Sequence, residues 1–592
     1  MASGGSKGAG ATAVVAATVA AAATVAVLAA SSGGVLGAGG AGDPTQADYD
    51  AARFLNQATF GSNDAAIADF RTTTPLGWLK AQTALAYPAT HFIDWVNRRD
   101  AEINAADAKK KARANVGQFQ EAFWAAALTA SDQLRLRMAF AFSEICVVSF
   151  QGSQLTPRMG AAYFDMLRGR SLGLYRDLIE AVTLSTAMGN YLNIIGNIQA
   201  DNDASRHPDE NYAREIMQLM SIGLYQLNMD GTPKVDANGA PIPTYGPSDI
   251  AGLAKIFTGW GYTAAKPTGG TFTRAADPDS DIKPLMAYPQ YHSQLSKTFL
   301  GVTFPAYAAW TPPAGVTKSV GAYQVAGLKF ALDAIANHPN VAPFIGRRLI
   351  QRFVKSNPTP AYIGRVAKVF ADDGTGTRGN LAAVIAAVLT DAEARPSSPG
   401  EFDGRLREPT VRLANWLRAF EATSASGNFL QPYDFSPPTA FNQAPLQAPS
   451  VFNFWMPDFA PPGGPITAAK QVAPEFQGVD VLTTASYANR IIATVMAANW
   501  GNKDVTVSYA KPLALVDAQG MVDAKRLARR LDLLLFGGQM GDKLAKRLLS
   551  VIASTATTAA KPTAAQIAQV NLDRVRNAVA LVMVSTDYLI QR

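Results

Sequence analysis

The chain has 592 residues, of which 48% are hydrophobic and 17% charged, so it can bury a large core and is not an intrinsically disordered protein. Its formal net charge of +7 is modest for this length, and its 53 Lys and Arg residues form no concentrated basic tract. Nucleic acid is therefore not an expected partner. The single cysteine, Cys146, excludes an internal disulfide, and its apolar neighbours indicate a buried, unreactive thiol.

The N-terminal 46 residues predict an exported protein. Ala13–Ala30 is an Ala/Val-rich run that follows Lys7, and Val27-Leu28-Ala29 fits a signal-peptide cleavage pattern. A retained membrane anchor is the alternative, although alanine contributes little free energy of insertion. We predict a signal peptide or N-terminal anchor over residues 1–30, a flexible linker over residues 31–46, and a periplasmic, outer-envelope or extracellular location.

Residues 47–592 predict a single extended helical module, because apolar residues recur at helical spacing through most of this length. Ser131-Asp132, Pro339 and Pro409 stand where helices are expected to begin. The predicted helices in chain order are Ala47–Gln57, Gly117–Ala130, Asp132–Phe150, Arg158–Arg168, Leu172–Ala187, Asp209–Leu224, Pro247–Trp260, Tyr323–Asn337, Pro339–Lys355, Ala361–Ala371, Asn380–Thr390, Glu408–Phe420, Ser486–Ala498, Met521–Leu534, Gly541–Ala553 and Ala564–Ser585.

Strand signals are confined to insertions between helices. Asp230-Gly231 and Asn238-Gly239 are turn signals that predict a small β-hairpin between residues 230 and 244. Two long irregular segments, Thr263–Thr317 and Asn428–Val472, are rich in Gly, Pro and aromatic residues and form either functional loops or packed covers. The predicted fold is mainly α, a large multi-helix globular assembly with a small β-hairpin insertion and long irregular loops.

A dense group of ionisable side chains lies at the start of the predicted helix Asp209–Leu224. Glu210 and Glu215 are candidate catalytic acids or bases, and His207 is a candidate proton shuttle or ion ligand. The alternative is structural, because Glu210 and Arg214 have the i,i+4 spacing of an ordinary helical ion pair. The candidate substrate-binding residues are Asn211, Arg214, His292, Lys297 and Trp455.

The last three of these candidates lie in the two irregular segments. His292 and Lys297 belong to the first, where a histidine either faces a cleft or bonds to nearby backbone. Trp455 belongs to the proline-rich, aromatic stretch Phe435–Pro465, whose rings either stack on sugar faces or fill gaps between helices. No zinc-ligand spacing occurs, so no metal ligands are assigned, although a metal held by carboxylates is still compatible with the sequence. The cofactor is left unassigned.

A stripe of basic and amide side chains follows one side of the helix predicted to begin at Pro339. Such a stripe either receives a polyanion or is a solvated face that pairs with acidic groups elsewhere in the fold. The residues of the stripe are Arg347, Arg348, Gln351, Arg352 and Lys355.

Short motifs follow one another in order along nearly all of the chain after Asp43. They are Ala51–Leu55, Ala58–Gly61, His207–Glu215 continuing to Gly223, Asp249–Trp260, His292 with Lys297–Gly301, His338–Ala342, Arg407–Pro409, Pro449–Trp455, Pro461–Gly463 and Ser585–Arg592. With these motifs the chain resembles the bacterial family called domain of unknown function 1800. The resemblance implies export and one mainly helical module, and it implies no established activity.

The resemblance also implies a partner. Members of this family look like companions of another exported family, domain of unknown function 1501, whose fold is similar to that of phosphatases and sulfatases. A glycan or an anionic polymer is a further candidate ligand.

Two functions are compatible with the sequence. The favoured one is a binding or assembly factor at the cell envelope, because no catalytic triad or complete metal-ligand set is apparent. The alternative is an exported hydrolase-like enzyme that acts on an envelope or extracellular polymer through carboxylate acid/base chemistry. The enzyme would be favoured by a common concave pocket that shields at least one carboxylate from water and is lined by His207, Glu210, Arg214, Glu215 and His292. An open surface pair of Glu210 and Arg214 would favour the binding protein.

Overall fold

The computed structural model describes residues 35–37, 40, 42–106, 113–201, 205–397, 399–557 and 559–592. The predicted signal peptide or anchor over residues 1–30 lies outside these residues. Within them, no helix is both long enough and apolar enough to cross a membrane.

Helices dominate the regular structure, and the predicted mainly α fold class is confirmed. In the N-terminal half they are α1 Gln46–Ala58, α2 Asp64–Phe70, α3 Pro75–Ala84, α4 Phe92–Ala106, α5 Val116–Thr129, α6 Gln133–Ser143, α7 Pro157–Arg170, α8 Tyr175–Thr183, α9 Thr186–Tyr191, α10 Asn211–Gln218, α11 Pro247–Ala254 and α12 Gly269–Thr273. In the C-terminal half they are α13 Val320–Asn337, α14 Val341–Phe353, α15 Pro360–Ala371, α16 Leu381–Thr390, α17 Pro409–Ala419, α18 Pro465–Ala468, α19 Val481–Ala497, α20 Ala510–Leu513, α21 Ala524–Leu531, α22 Asp542–Ser554, α23 Ala564–Met583 and α24 Thr586–Leu589.

Side-chain caps explain where several of these helices begin. Thr45 accepts a hydrogen bond from the Asp48 backbone N–H, and the Asp48 carboxylate accepts one in return, so a capping box starts α1. Pro409 occupies the first turn of α17, where its missing N–H is not needed. The structure also contains α2, α3 and α4, which the sequence analysis did not predict.

The strands are short and pair only in antiparallel twos within the described chain. The pairs are β1 Trp260–Gly261 with β2 Met286–Ala287, β3 Lys297–Phe299 with β4 Val302–Phe304, β5 Arg405–Leu406 with β8 Ile590–Gln591, and β6 Thr423–Ser424 with β7 Val505–Thr506. The predicted hairpin region is a ribbon of isolated bridges, in which Leu227 pairs with Pro233 and Val235 with Pro241. Gly231 and Gly239 supply the positive φ angles of its two turns.

One hydrophobic core connects the two ends of the described chain, from Leu36 to Tyr588. Helix α1 packs against the π-helical turn Asp532–Phe536, and the backbone turns away at Gly537 with φ 61°. A Cβ atom at Gly537 would lie 2.7 Å from Cα of Arg53, so only glycine allows this close approach. Cys146 is fully buried in the same core, and burial raises the pKa of its thiol to about 12.

Residues 428–472, which we call the covering segment, contain no helix before Pro465 and no strand. The segment is held against the helices by side-chain amides, which donate to its backbone carbonyls. Nε2 of Gln120 lies 2.7 Å from the Pro445 oxygen, and Nε2 of Gln351 lies 3.0 Å from the Pro457 oxygen. The second predicted irregular segment is therefore a packed cover over α5 and α14.

Candidate functional site

The polar cluster predicted at the start of α10 lies on an open surface. Glu210 is the N-terminal flanking residue of the helix, and its Oε2 lies 3.2 Å from Nη2 of Arg214. The two side chains are 43% and 45% exposed, and His207 and Asn211 are also exposed. The arrangement is the exposed i,i+4 ion pair that the structural alternative described.

Glu215 has a different environment from its neighbours on α10. Its Oε2 is buried without a hydrogen-bond partner, and burial raises the pKa of its carboxyl although the charge of Arg214 opposes this. The nearby hydroxyl groups belong to Tyr191 and Tyr245, whose pKa values are raised by burial first and by the charge of Glu215 second. Glu215 is thus a partly enclosed carboxyl beside two tyrosines.

His292 and Lys297 lie together in the interior, away from the surface pair. Nδ1 of His292 lies 2.8 Å from the Thr258 carbonyl oxygen, and burial lowers the pKa of its ring to about 3. The Lys297 ammonium donates to the Ser293 carbonyl at 2.7 Å and to the Tyr323 hydroxyl at 2.8 Å. Burial lowers the pKa of Lys297 to about 7. These contacts tie the β3–β4 region to α13.

Trp455 is buried in the covering segment. The centroid of its ring lies 5.7 Å from Cζ of Arg352 and 5.6 Å from the centroid of the Phe454 ring. Its Nε1 has no hydrogen-bond partner among the described residues. Trp455 itself therefore fills the space between the covering segment and α14, and Phe454 lies on its outer side.

A buried cluster of charges, which the sequence analysis did not predict, lies beneath the covering segment. We call it the buried charge cluster; its members are Arg137 at α6, Glu144 just after α6, Arg352 at α14, Arg405 and Glu408 around β5, and Glu475. Glu408 is fully buried and forms a salt bridge with Arg405. Arg352 Nη1 lies 3.1 Å from Glu144 Oε2. The charge-rich Arg405–Glu408 directly before an apolar helix was the available sequence signal.

A glutamine of the covering segment binds the two carboxyl groups of this cluster. Nε2 of Gln443 lies 2.9 Å from Glu144 Oε1 and 3.0 Å from Glu408 Oε2, and its Oε1 accepts from the Thr410 backbone N–H at 3.0 Å. The amide therefore fixes the covering segment to the start of α17 and to the end of α6.

The two neighbouring carboxyl groups differ in protonation. Burial raises the pKa of Glu144 to about 8, assisted by the charge of Glu408 and opposed by Arg352. Burial also acts to raise the pKa of Glu408, but Arg405, Arg352 and Arg137 together outweigh it and hold the pKa at about 2. Near neutral pH the pair shares one negative charge, which reduces the repulsion between two enclosed carboxylates.

A cavity of about 290 Å³ opens on the outer side of the covering segment. Its walls combine neutral polar groups with apolar rings. The lining residues are Gln151, Ser436, Pro437, Pro438, Asn442, Gln447, Pro449 and Phe454. Asn442 and Phe454 directly precede Gln443 and Trp455, so a single layer of chain separates the cavity from the buried charge cluster.

The covering segment adopts uncommon backbone conformations at one wall residue, Asn442, and at two neighbours of wall residues. Asn442 has φ 60°, Leu446 has φ 54° and Asn453 has φ 67°. Positive φ is rare outside glycine, and a leucine there is a clear outlier. Asn453 is 6% exposed, and neither polar atom of its side-chain amide has a hydrogen-bond partner among the described residues. Strain and unsatisfied polar atoms concentrated in one segment are features of functional sites.

The sequence-predicted residues thus divide among three places. His207, Glu210, Asn211, Arg214 and Glu215 lie at α10, His292 and Lys297 lie against α13, and Trp455 lies under the cavity. None of them lines the cavity. Within the described ranges, no group of three or more His, Cys, Asp or Glu side chains is arranged to hold a metal ion.

Comparison with known proteins assigns the chain to a family. No curated protein matches the chain. No solved structure matches it. The sequence pattern of one family, described as "Protein of unknown function (DUF1800)", matches residues 53–590, which is nearly the whole chain. The resemblance found in the sequence is confirmed, and the chain belongs to the DUF1800 family.

Proposed function

We propose that this protein is a noncatalytic binding protein that holds a glycan in the cavity of the covering segment. The cavity carries this proposal: its volume of about 290 Å³ is close to the lower limit of small-molecule sites, which span roughly 300–1,000 Å³. Its walls offer amides, a hydroxyl and an aromatic ring, and none of its lining residues is ionisable.

This set of groups matches the surface of a sugar ring. A sugar presents hydroxyl groups at its edge and C–H groups on its face, so amides bind the edge and an aromatic ring packs on the face. Nδ2 of Asn442 donates to the Gly478 oxygen at 3.0 Å, and Nε2 of Gln447 donates to Asp434 Oδ1 at 3.3 Å. These bonds orient both amides and leave their oxygens as acceptors for ligand hydroxyls.

The same observation separates binding from hydrolysis. Hydrolysis of a glycosidic bond by acid/base chemistry requires a carboxylic acid and a carboxylate beside the bond. The lining residues carry neither group, and the neighbouring Asp434 supplies a single carboxylate that already accepts from Ser436 and Gln447. The carboxyl groups of the buried charge cluster lie behind Gln443 and Trp455. The exposed Glu210–Arg214 pair is not enclosed either. A binding function needs no group that the lining residues lack, whereas hydrolysis needs two carboxyl groups beside the bond.

The test is calorimetric titration of neutral oligosaccharides of glucose, galactose and N-acetylglucosamine into the full protein. We expect Phe454→Ala to weaken binding by about tenfold, through loss of the ring–sugar contact. Asn442→Gly removes the amide but keeps a residue suited to φ 60°, so this variant separates binding from folding. The matched control is Phe452→Ala, because Phe452 is an exposed ring of the same segment that does not line the cavity.

Two results contradict the proposal. One is equal weakening by Phe454→Ala and Phe452→Ala, and the other is the absence of binding to every sugar of the panel by the folded protein. That the protein is exported, and that it has a companion of the domain of unknown function 1501 family, stay predictions. If the protein is exported, the cell envelope is the expected source of the glycan.

A further inference from the structure

Two neighbouring arginines on α14 have no partner for their charge. In the described part of the chain, no hydrogen bond and no ion pair within 4.0 Å reaches the guanidinium of Arg347 or Arg348. Both side chains are only partly exposed, and Nε of Arg347 is buried and unpartnered. The guanidinium of Arg348 lies 4.7 Å from the ring centroid of Phe344, which fixes its position but does not neutralise it.

The other cations of the same helix face are neutralised. Arg352 pairs with the ionised Glu408 at 3.8 Å and lies 3.1 Å from the Glu144 carboxyl group, and Lys355 pairs with Asp403. A partly desolvated cation without a counterion is unfavourable, so an unpaired pair of adjacent arginines indicates a missing anion. The exposed carboxylate of Asp458 is close enough to influence both arginines but forms no ion pair with them.

A short series of contacts connects the arginine pair to the covering segment that holds the cavity. Arg348 is one helical turn before Arg352, whose guanidinium lies over the ring of Trp455. Trp455 contacts Phe454, which lines the cavity. The bond from Gln351 to the Pro457 oxygen holds this part of the covering segment against α14. A polymer that extends out of the cavity along residues 454–458 would therefore approach the two guanidinium groups, because Asp458 is close enough to influence both.

We infer that Arg347 and Arg348 bind an acidic group of the glycan, so that acidic polysaccharides bind more tightly than neutral ones. This inference rests on the proposed function and adds the chemical class of the ligand. Guanidinium groups suit carboxylate, sulfate and phosphate alike, because their planar N–H groups match paired oxygens. Carboxylate, sulfate and phosphate share one feature, which is a negatively charged oxygen group attached to a sugar.

The experiment compares acidic and neutral forms of the same sugars. Carboxylated, sulfated and phosphorylated oligosaccharides are titrated next to their methyl-esterified or unmodified forms, into wild-type protein and the double variant Arg347→Gln/Arg348→Gln. We expect at least one acidic form to bind about tenfold or more tightly than its neutral form, and the double variant to remove this advantage. The form that is preferred identifies the acidic group.

The matched control is Arg71→Gln/Arg98→Gln, which also removes two positive charges but takes them from exposed ion pairs with Asp48 and Glu102. We expect it to change affinity by less than about twofold, because distant exposed charges are screened by salt. Equal loss in both double variants would overturn the inference. So would equal binding of acidic and neutral forms, although the proposed function would then stand, whereas no binding of any sugar would end both.

Discussion

The start of α10 is rich in ionisable side chains but lies on an open surface, whereas the covering segment brings neutral side chains to a cavity. The first gathers His207, Glu210, Arg214 and Glu215 within nine residues, yet its ion pair faces solvent. The second brings only neutral amides, a hydroxyl and apolar rings to its cavity, yet it encloses space and holds strained backbone. The comparison teaches that a density of ionisable side chains in the sequence does not indicate an enclosed space in the fold.

The same contrast applies to two glutamates. Glu210 is 43% exposed and pairs with one arginine, whereas Glu408 is fully buried among Arg405, Arg352 and Arg137. The exposed pair is screened and contributes little to stability. The buried group depends on each of its partners, because removal of one leaves an uncompensated charge inside the protein. Substitutions in the two places should therefore differ strongly in effect.

The largest effect is expected for Arg405→Met. This change leaves Glu408 and Glu475 buried with one fewer counterion, and we expect the free energy of unfolding to fall by about 3–5 kcal/mol. Arg214→Met removes the same side-chain charge at the surface and should cost less than about 0.5 kcal/mol. Urea-induced unfolding of both variants measures the difference. Equal losses would mean that burial does not separate the two regions.

An effect of at most comparable size, specific to pH, is expected for Glu144→Gln. The folded protein keeps the Glu144 proton up to a pKa of about 8, whereas the unfolded chain loses it near 4.5. Folding takes up a proton between these values, so wild-type stability falls as pH rises through this window, by at most about 1.4 kcal/mol per unit. Glutamine does not titrate, so the free energy of unfolding of the variant should rise relative to that of wild type between pH 5 and pH 8.

Urea unfolding of wild type and Glu144→Gln at a series of pH values between 5 and 8 tests this sign. Glu408, with its low pKa, contributes in the opposite sense and only as pH falls below about 4.5, outside the chosen window. A constant difference between the two proteins across the window would show that Glu144 is ionised in the fold.

The smallest effect is expected for Glu210→Gln and Glu215→Gln. Neither residue lines the cavity, so glycan affinity should stay within about twofold of wild type in both variants. Loss of the surface pair in Glu210→Gln should alter stability by only a few tenths of a kcal/mol. Titration with the best-bound sugar checks both variants. A large loss of affinity in folded protein would move the site to α10 and restore the acid/base hypothesis.

The sequence predicted the helices that bury a regular apolar stripe, and it failed where burial is slight. Helix α4 was not predicted, because only Phe92 and Val96 of its fifteen residues are buried. The predicted helix Asp209–Leu224 was too long: the helix ends at Gln218, and Gly223 adopts a positive φ of 72°. Helical periodicity identifies packed faces, so polar helices and exact ends escape it.

The candidate site was less accessible to sequence reasoning. The buried charge cluster combines residues between positions 137 and 475, and only the tertiary fold brings them together. The cavity lining joins Gln151 to residues 436–454, and its neutral amides have no characteristic spacing. The aromatic stretch around Trp455 was identified, but the structure places Phe454, and not Trp455, at the cavity wall.

The most direct measurement for the central claim is the affinity of the best-bound oligosaccharide for wild type, Phe454→Ala and Phe452→Ala at one ionic strength. The two phenylalanines lie two residues apart in the same segment, and only one of them lines the cavity. We predict that Phe454→Ala weakens binding by about tenfold and that Phe452→Ala leaves it unchanged. Unchanged binding in folded Phe454→Ala protein would contradict the account.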